Sequence, residues 1–175
     1  MAETNSAKPW IMRGTFAALA IGLLFWSLLP LNTVPRNWTG PDLLMVLTMV
    51  WVLRRPDYAP AFLIAAVILL ADFLLGRPPG LLAAITVFVC DNLRRRAMNR
   101  SEMVFSVEWL TAAAALTVIA VANRLLTAVF ILEQAPLTLT LVQLVASILV
   151  YPLVAGFCSL ILGVRQTRFR EGDPT

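Results

Sequence analysis

Six apolar stretches, cut apart by short polar breaks rich in proline, glycine and arginine, limit this chain to very few folds. They cover residues 14–29, 38–53, 60–75, 80–93, 105–132 and 137–162. Crossing a hydrocarbon core of about 30 Å takes roughly 20 helical residues at about 1.5 Å each. The first stretch is adequate, and the fifth and sixth are ample. The second, third and fourth are short, and short helices persist where they pack against protein rather than lipid. The pattern predicts an all-α integral membrane protein, a single six-helix bundle formed by residues 1–175. Composition agrees, with 14% of residues charged where soluble domains carry about 25%.

Charge placement gives an orientation. With six spans and the N-terminus inside, Lys8, Arg13, Arg54, Arg55, Arg94, Arg95, Arg96, Arg100, Arg165, Arg168 and Arg170 fall on the inner side. Only Arg36 and Arg77 fall outside, a bias of eleven against two in the sense of the positive-inside rule. A four-span arrangement with the second and fourth stretches re-entrant gives ten against three, as does one with only the second re-entrant and the N-terminus outside, so six spans are preferred. The first stretch follows Lys8 and Arg13 and lacks a small-x-small cleavage site, which reads as an uncleaved span. The expectation is a multi-pass protein of the bacterial inner (plasma) membrane with both termini cytoplasmic. The net charge of +4 sits in breaks between apolar runs and not on an aromatic-interleaved basic surface, so no nucleic-acid partner is expected.

The chain has no histidine, and its two cysteines, Cys90 and Cys158, lie in apolar runs without metal-like spacing. No metal, cofactor or catalytic set is expected, and the chain does not read as an enzyme. Four ionisable residues lie in or at the edges of spans: Asp72, Asp91, Glu108 and Arg124. A charge at a helix centre costs about 2.5–3.5 kcal/mol on insertion scales, so such groups face the bundle interior or a partner. Asp72 and Arg124 share the outer third, and Asp72 reads either as half of an ion pair with Arg124 or as a partner or ligand contact. Asp91 and Glu108 sit near the inner boundary beside Arg94 to Arg96 and read as solvated or paired boundary charges.

Small residues recur at helical spacing. Gly14, Ala18 and Gly22 form a ridge on the first span, and Ala155, Ser159 and Gly163 another on the last. Such ridges let helix backbones approach closely in lipid. They serve either internal packing or the docking of another protein's transmembrane helix. Gly76-Arg77-Pro78-Pro79-Gly80 predicts a stiff outer hairpin. Pro152 predicts a break in the last span whose freed carbonyl is satisfied by a neighbour. Trp10, Trp51, Tyr58 and Trp109 fall near the inner interface, whereas Trp26 and Tyr151 read as packed in the bundle.

Several of these features together resemble the rod shape-determining family MreD. They are Pro41-Asp42-Leu43-Leu44 at the entry to an early span, Trp51-Val52-Leu53-Arg54-Arg55-Pro56-Asp57-Tyr58, and Asp72-Phe73-Leu74-Leu75-Gly76-Arg77-Pro78-Pro79-Gly80. Val107-Glu108-Trp109-Leu110, Ala122-Asn123-Arg124-Leu125, Tyr151-Pro152-Leu153 and Gly163-Val164-Arg165 follow in order, so the resemblance covers roughly residues 12–166. One departure is Ala65-Ala66, where many members carry a glycine. The resemblance implies a non-enzymatic scaffold of the bacterial cell-elongation complex that regulates cell shape. Its implied partners are MreC, RodA, a class B penicillin-binding transpeptidase and, through cytoplasmic basic loops, MreB, all within membrane lipid. It also implies a fold like the S component of energy-coupling-factor transporters, and that likeness supplies the rival function of vitamin binding. An S component needs an outer pocket of convergent polar groups, for which the outer loops offer only Arg36, Asn37, Trp38, Arg77 and Glu133. The candidate contact residues are therefore Asp42, Asp72 and Arg124, with Gly14, Ala18, Gly22, Gly76 and Gly80.

Overall fold

The computed structural model describes residues 7–29, 40–98, 104–131 and 134–161. Six helices result: α1 (Ala7–Leu28), α2 (Leu43–Arg54), α3 (Ala61–Leu74), α4 (Leu81–Met98), α5 (Phe105–Val129) and α6 (Leu137–Ile161). Within α1, α5 and α6, the segments Pro9–Leu28, Phe105–Val129 and Leu137–Leu160 are long and apolar enough to cross a membrane, whereas α2 and α3 are shorter apolar helices. The chain is a helical membrane protein. The proposed contacts of Arg36, Asn37, Trp38, Arg100, Glu133, Gly163, Arg165, Arg168 and Arg170 lie outside the described residues.

Helix limits follow local chemistry. The carboxylate of Asp42 accepts the Met45 N–H at 3.1 Å and so caps α2, satisfying one of the donors a helix start leaves open. That cap starts α2 at Leu43, five residues after the expected 38. Pro60 occupies the cap position of α3. At the other end of α3, Gly76 has φ +63°, and the N–H of Arg77 returns to the Asp72 carbonyl at 2.9 Å. This six-to-one bond is the Schellman closure, in which glycine avoids the steric cost of a left-handed backbone. α1 begins seven residues before the expected 14, and α4 continues through its arginines to Met98.

The architecture places the shortest helix in the middle. Every residue of α2 between Leu44 and Leu53 is buried, because α2 packs against α1, α4, α5 and α6. A helix that is apolar all round has no face for water and belongs in an interior. The other helices wall it in, with α1 on α3, α3 on α4, α4 on α5 and α5 on α6. Trp51 is wholly buried against Phe16, their ring centroids 5.4 Å apart, instead of lying at an interface. Trp26 is 63% exposed, which corrects its expected place in the bundle. Large apolar side chains such as Phe62, Phe88, Leu149 and Leu160 are exposed on the periphery, where lipid is the natural contact.

Proline 152 lies inside α6 and cannot bond the carbonyl four residues earlier, that of Ile148. The indole Nε1–H of Trp109 on α5 donates to that carbonyl at 2.9 Å. The expected neighbour exists, and it comes from the adjoining helix.

Candidate functional site

Polar groups gather at the two ends of the bundle. At one end, Arg54 closes α2. Its Nε donates to Glu108 Oε1 at 2.7 Å and its Nη1 to the Ala155 carbonyl at 2.8 Å. The Tyr151 hydroxyl donates to the same Glu108 oxygen at 2.8 Å. Three helices thus converge on one carboxylate, and the Arg54 and Glu108 side chains are only 10% and 1% exposed. Arg94 to Arg96 are the neighbours expected for Glu108 from sequence; it pairs instead with the last residue of α2. Asp91 does pair locally, accepting Arg95 Nε at 2.9 Å one helical turn on, in an exposed bridge. Exposed pairs of that spacing contribute about 0.3–0.5 kcal/mol, whereas a buried pair is strongly destabilising to break. Near this end Arg13 donates to the Asp57 carbonyl from Nε and Nη2, both at 3.3 Å.

At the opposite end, Asp72 is wholly buried. Its Oδ2 accepts the Gly80 N–H at 3.2 Å, so the side chain at the end of α3 reaches across the hairpin to the start of α4. Gly80 has φ +86°, a conformation that L side chains rarely adopt. Asp72 Oδ1 has no hydrogen-bond partner among the described residues, and the Arg77 guanidinium acts on the carboxyl electrostatically. The expected ion pair with Arg124 does not form. Arg124 Nη1 instead donates to the Ala135 carbonyl at 3.1 Å and to Thr140 Oγ1 at 3.3 Å. Each residue is held by its own turn, Asp72 by the α3–α4 hairpin and Arg124 by the α5–α6 connection.

Beside these turns lies a cavity of about 320 Å³. Asp42 borders it from the start of α2 and Arg77 from the α3–α4 turn; Asn123, Arg124 and Thr127 come from the end of α5. Gln143 and Ser147 face it from α6, and Leu82, Leu116, Ile119 and Leu144 add apolar wall. Ser147 also accepts the Asp42 backbone N–H at 2.8 Å. The outer loops themselves supply few of these polar groups. Asn123, Arg124 and Thr127 lie toward the end of α5 and Thr140, Gln143 and Ser147 in the first half of α6, where apolar runs hide them, and the signal available was their shared depth in a six-helix arrangement.

The α1 ridge faces away from the bundle. Phe16, Ala20 and Leu24 are buried; Gly14, Ala18 and Gly22, two residues or about 200° around the helix, are exposed. A Cβ placed on Gly14 or Gly22 would meet nothing within 4 Å, so internal packing does not explain this ridge. The α6 ridge differs, since Ala155 is wholly buried. Among the described residues no group of three or more His, Cys, Asp or Glu stands together to hold a metal. Comparison with protein-family models, with curated proteins and with solved structures finds no match to this chain.

Proposed function

We propose that this protein is a non-enzymatic membrane scaffold of the MreD type, holding the transmembrane helix of an MreC-like protein against the outward face of α1. The observation that carries this reading is the ridge Gly14, Ala18 and Gly22, exposed while the opposite face of the same helix is buried. Small residues at this spacing let a second backbone come close, and in lipid such close packing is a main source of helix association. The buried Arg54–Glu108–Tyr151 cluster supports it by fixing α2, α5 and α6 together, so that the bundle presents a stiff surface. RodA, the class B transpeptidase and MreB would be gathered around that surface, with both termini and the Arg54 end of the bundle in the cytoplasm. The test is co-purification of an MreC-like partner with Ala18→Leu. Loss of the partner from a variant that still folds is the expected result. Full retention would remove the ridge from the argument.

The second reading, a small-molecule-binding S component, is favoured by the cavity, which is larger in polar lining than the loops alone suggested. A binding assay with radiolabelled vitamins tests it directly.

A further inference from the structure

We propose that the cavity between the α3–α4 turn and the α5–α6 connection binds an amphiphile with a monoanionic head, a carboxylate or a phosphodiester, and that Arg77 and Arg124 hold the head. This site is independent of the scaffold reading and of the ridge on α1. Among the described residues its walls carry two guanidinium groups and one carboxylate, Asp42, which leaves one net positive charge from these three. The Asp42 carboxylate is turned back on its own helix, where Oδ1 accepts the Met45 N–H. The guanidinium groups are less occupied. Arg124 spends Nη1 on Ala135 and Thr140, and its Nε and Nη2 make no hydrogen bond among the described residues. The side chain of Arg77 makes none among them either, and its charge is felt by buried Asp72. Guanidinium donors in a fixed fork suit the paired oxygens of carboxylate and phosphate.

The remaining lining specifies the rest of the ligand. Leu82, Leu116, Ile119 and Leu144 form apolar wall beside the charged rim, a place for hydrocarbon next to the head. About 320 Å³ lies at the small end of ligand cavities, which run from about 300 to 1,000 Å³. It holds a head and the first few carbons of a chain, not a whole lipid. A phospholipid entering head-first and a short soluble acid share this chemistry.

The experiment measures thermal stabilisation of the full chain in neutral detergent by three probes: dioctanoyl-phosphatidylglycerol, octanoate and uncharged octanol. Saturable stabilisation by either anion and none by octanol is the expected result. The phospholipid acting alone identifies a lipid as the source, and octanoate acting alone identifies a soluble acid. Arg124→Gln and Arg77→Gln should each weaken the response about tenfold. Should the arginine variants fail to fold, Ala120→Phe fills the cavity from α5 while leaving both charges, and should abolish stabilisation. Equal stabilisation by octanol, no response to either anion, or an unaltered response in a folded variant would overturn the proposal.

Discussion

Trp109 donates its indole N–H to the carbonyl of Ile148 at 2.9 Å, the carbonyl that Pro152 leaves without a helical partner. The neighbouring residue, Glu108, takes the hydroxyl of Tyr151. Two consecutive residues of α5 therefore grip α6 in the turn that precedes its proline. A proline in a helix interior costs about 3 kcal/mol or more, chiefly through the lost bond and ring clash, and an interhelical donor recovers part of it.

Trp109→Phe should destabilise the bundle by about 1 kcal/mol, within the range of interhelical hydrogen bonds in membranes. Pro152→Ala restores an N–H for the Ile148 carbonyl, so in that background the same change should cost less. A double-mutant cycle on unfolding in mixed detergent reads the difference. Equal costs in both backgrounds would dissociate the tryptophan from the proline.

Breaking the other grip should cost more. Glu108→Leu leaves Arg54, whose side chain is 10% exposed, without its carboxylate, and loss of one partner of a buried pair costs about 3–5 kcal/mol. The lower end applies, since Arg54 keeps its bond to the Ala155 carbonyl. The joint change Arg54→Met with Glu108→Leu should be milder than Glu108→Leu alone, because no lone charge remains. Thermal unfolding of the three variants measures the order, and a worse double variant would refute the pairing.

Exchange of the two outer charges should give no rescue. Asp72 is tied to Gly80 and Arg124 to Ala135 and Thr140, so Asp72→Arg with Arg124→Asp should be at least as damaging as the sum of the single changes. Asp72→Asn, which keeps an acceptor for the Gly80 N–H, should be the mildest change at that position. Expression yield and unfolding midpoint report both. Recovery in the swapped variant would restore the ion pair.

Ile131, two residues past the end of α5, has φ +54° and is 93% exposed. A left-handed backbone costs an L residue roughly 1–2 kcal/mol, and a β-branched one is the least suited to it. Ile131→Gly should therefore stabilise by about 1 kcal/mol in the same unfolding assay. A loss of stability would mean that the isoleucine side chain serves a contact outside the described residues.

Much of the fold was legible from apolar length and punctuation. Pro60, Gly76 and Gly80 break the chain where sequence places the breaks, because proline lacks the donor and glycine tolerates positive φ. The centrality of α2 was not legible, since apolar runs look alike whether they face lipid or protein. The polar sites were harder still. Glu108 has arginines near it in sequence, yet its partner is Arg54, fifty-four residues away, and only the packing of α2 between α5 and α6 brings them together. Asp72 and Arg124 share a depth, and depth alone does not say which way a side chain turns. The ridge of α1 was readable as a ridge; which way it faced was decided by Phe16, Ala20 and Leu24 filling the core.

The two ends of the bundle give a testable orientation in the bilayer. Arg54 and Arg55 lie at the end of α2, whereas Arg77 lies in the turn that follows α3, so successive helix ends carry unequal positive charge. The positive-inside rule predicts that the arginine-rich end, with Arg94 to Arg96 of α4, faces the cytoplasm. A cysteine at position 55 should then resist an impermeant thiol reagent applied to intact cells, and one at position 77 should react. Cys90 and Cys158 are buried and should stay silent, leaving the signal to the introduced thiol. Reaction at 55 with protection at 77 would invert the bundle and put the cavity on the cytoplasmic side. Reaction at both would mean that α3 does not cross, and the short third span would then be re-entrant.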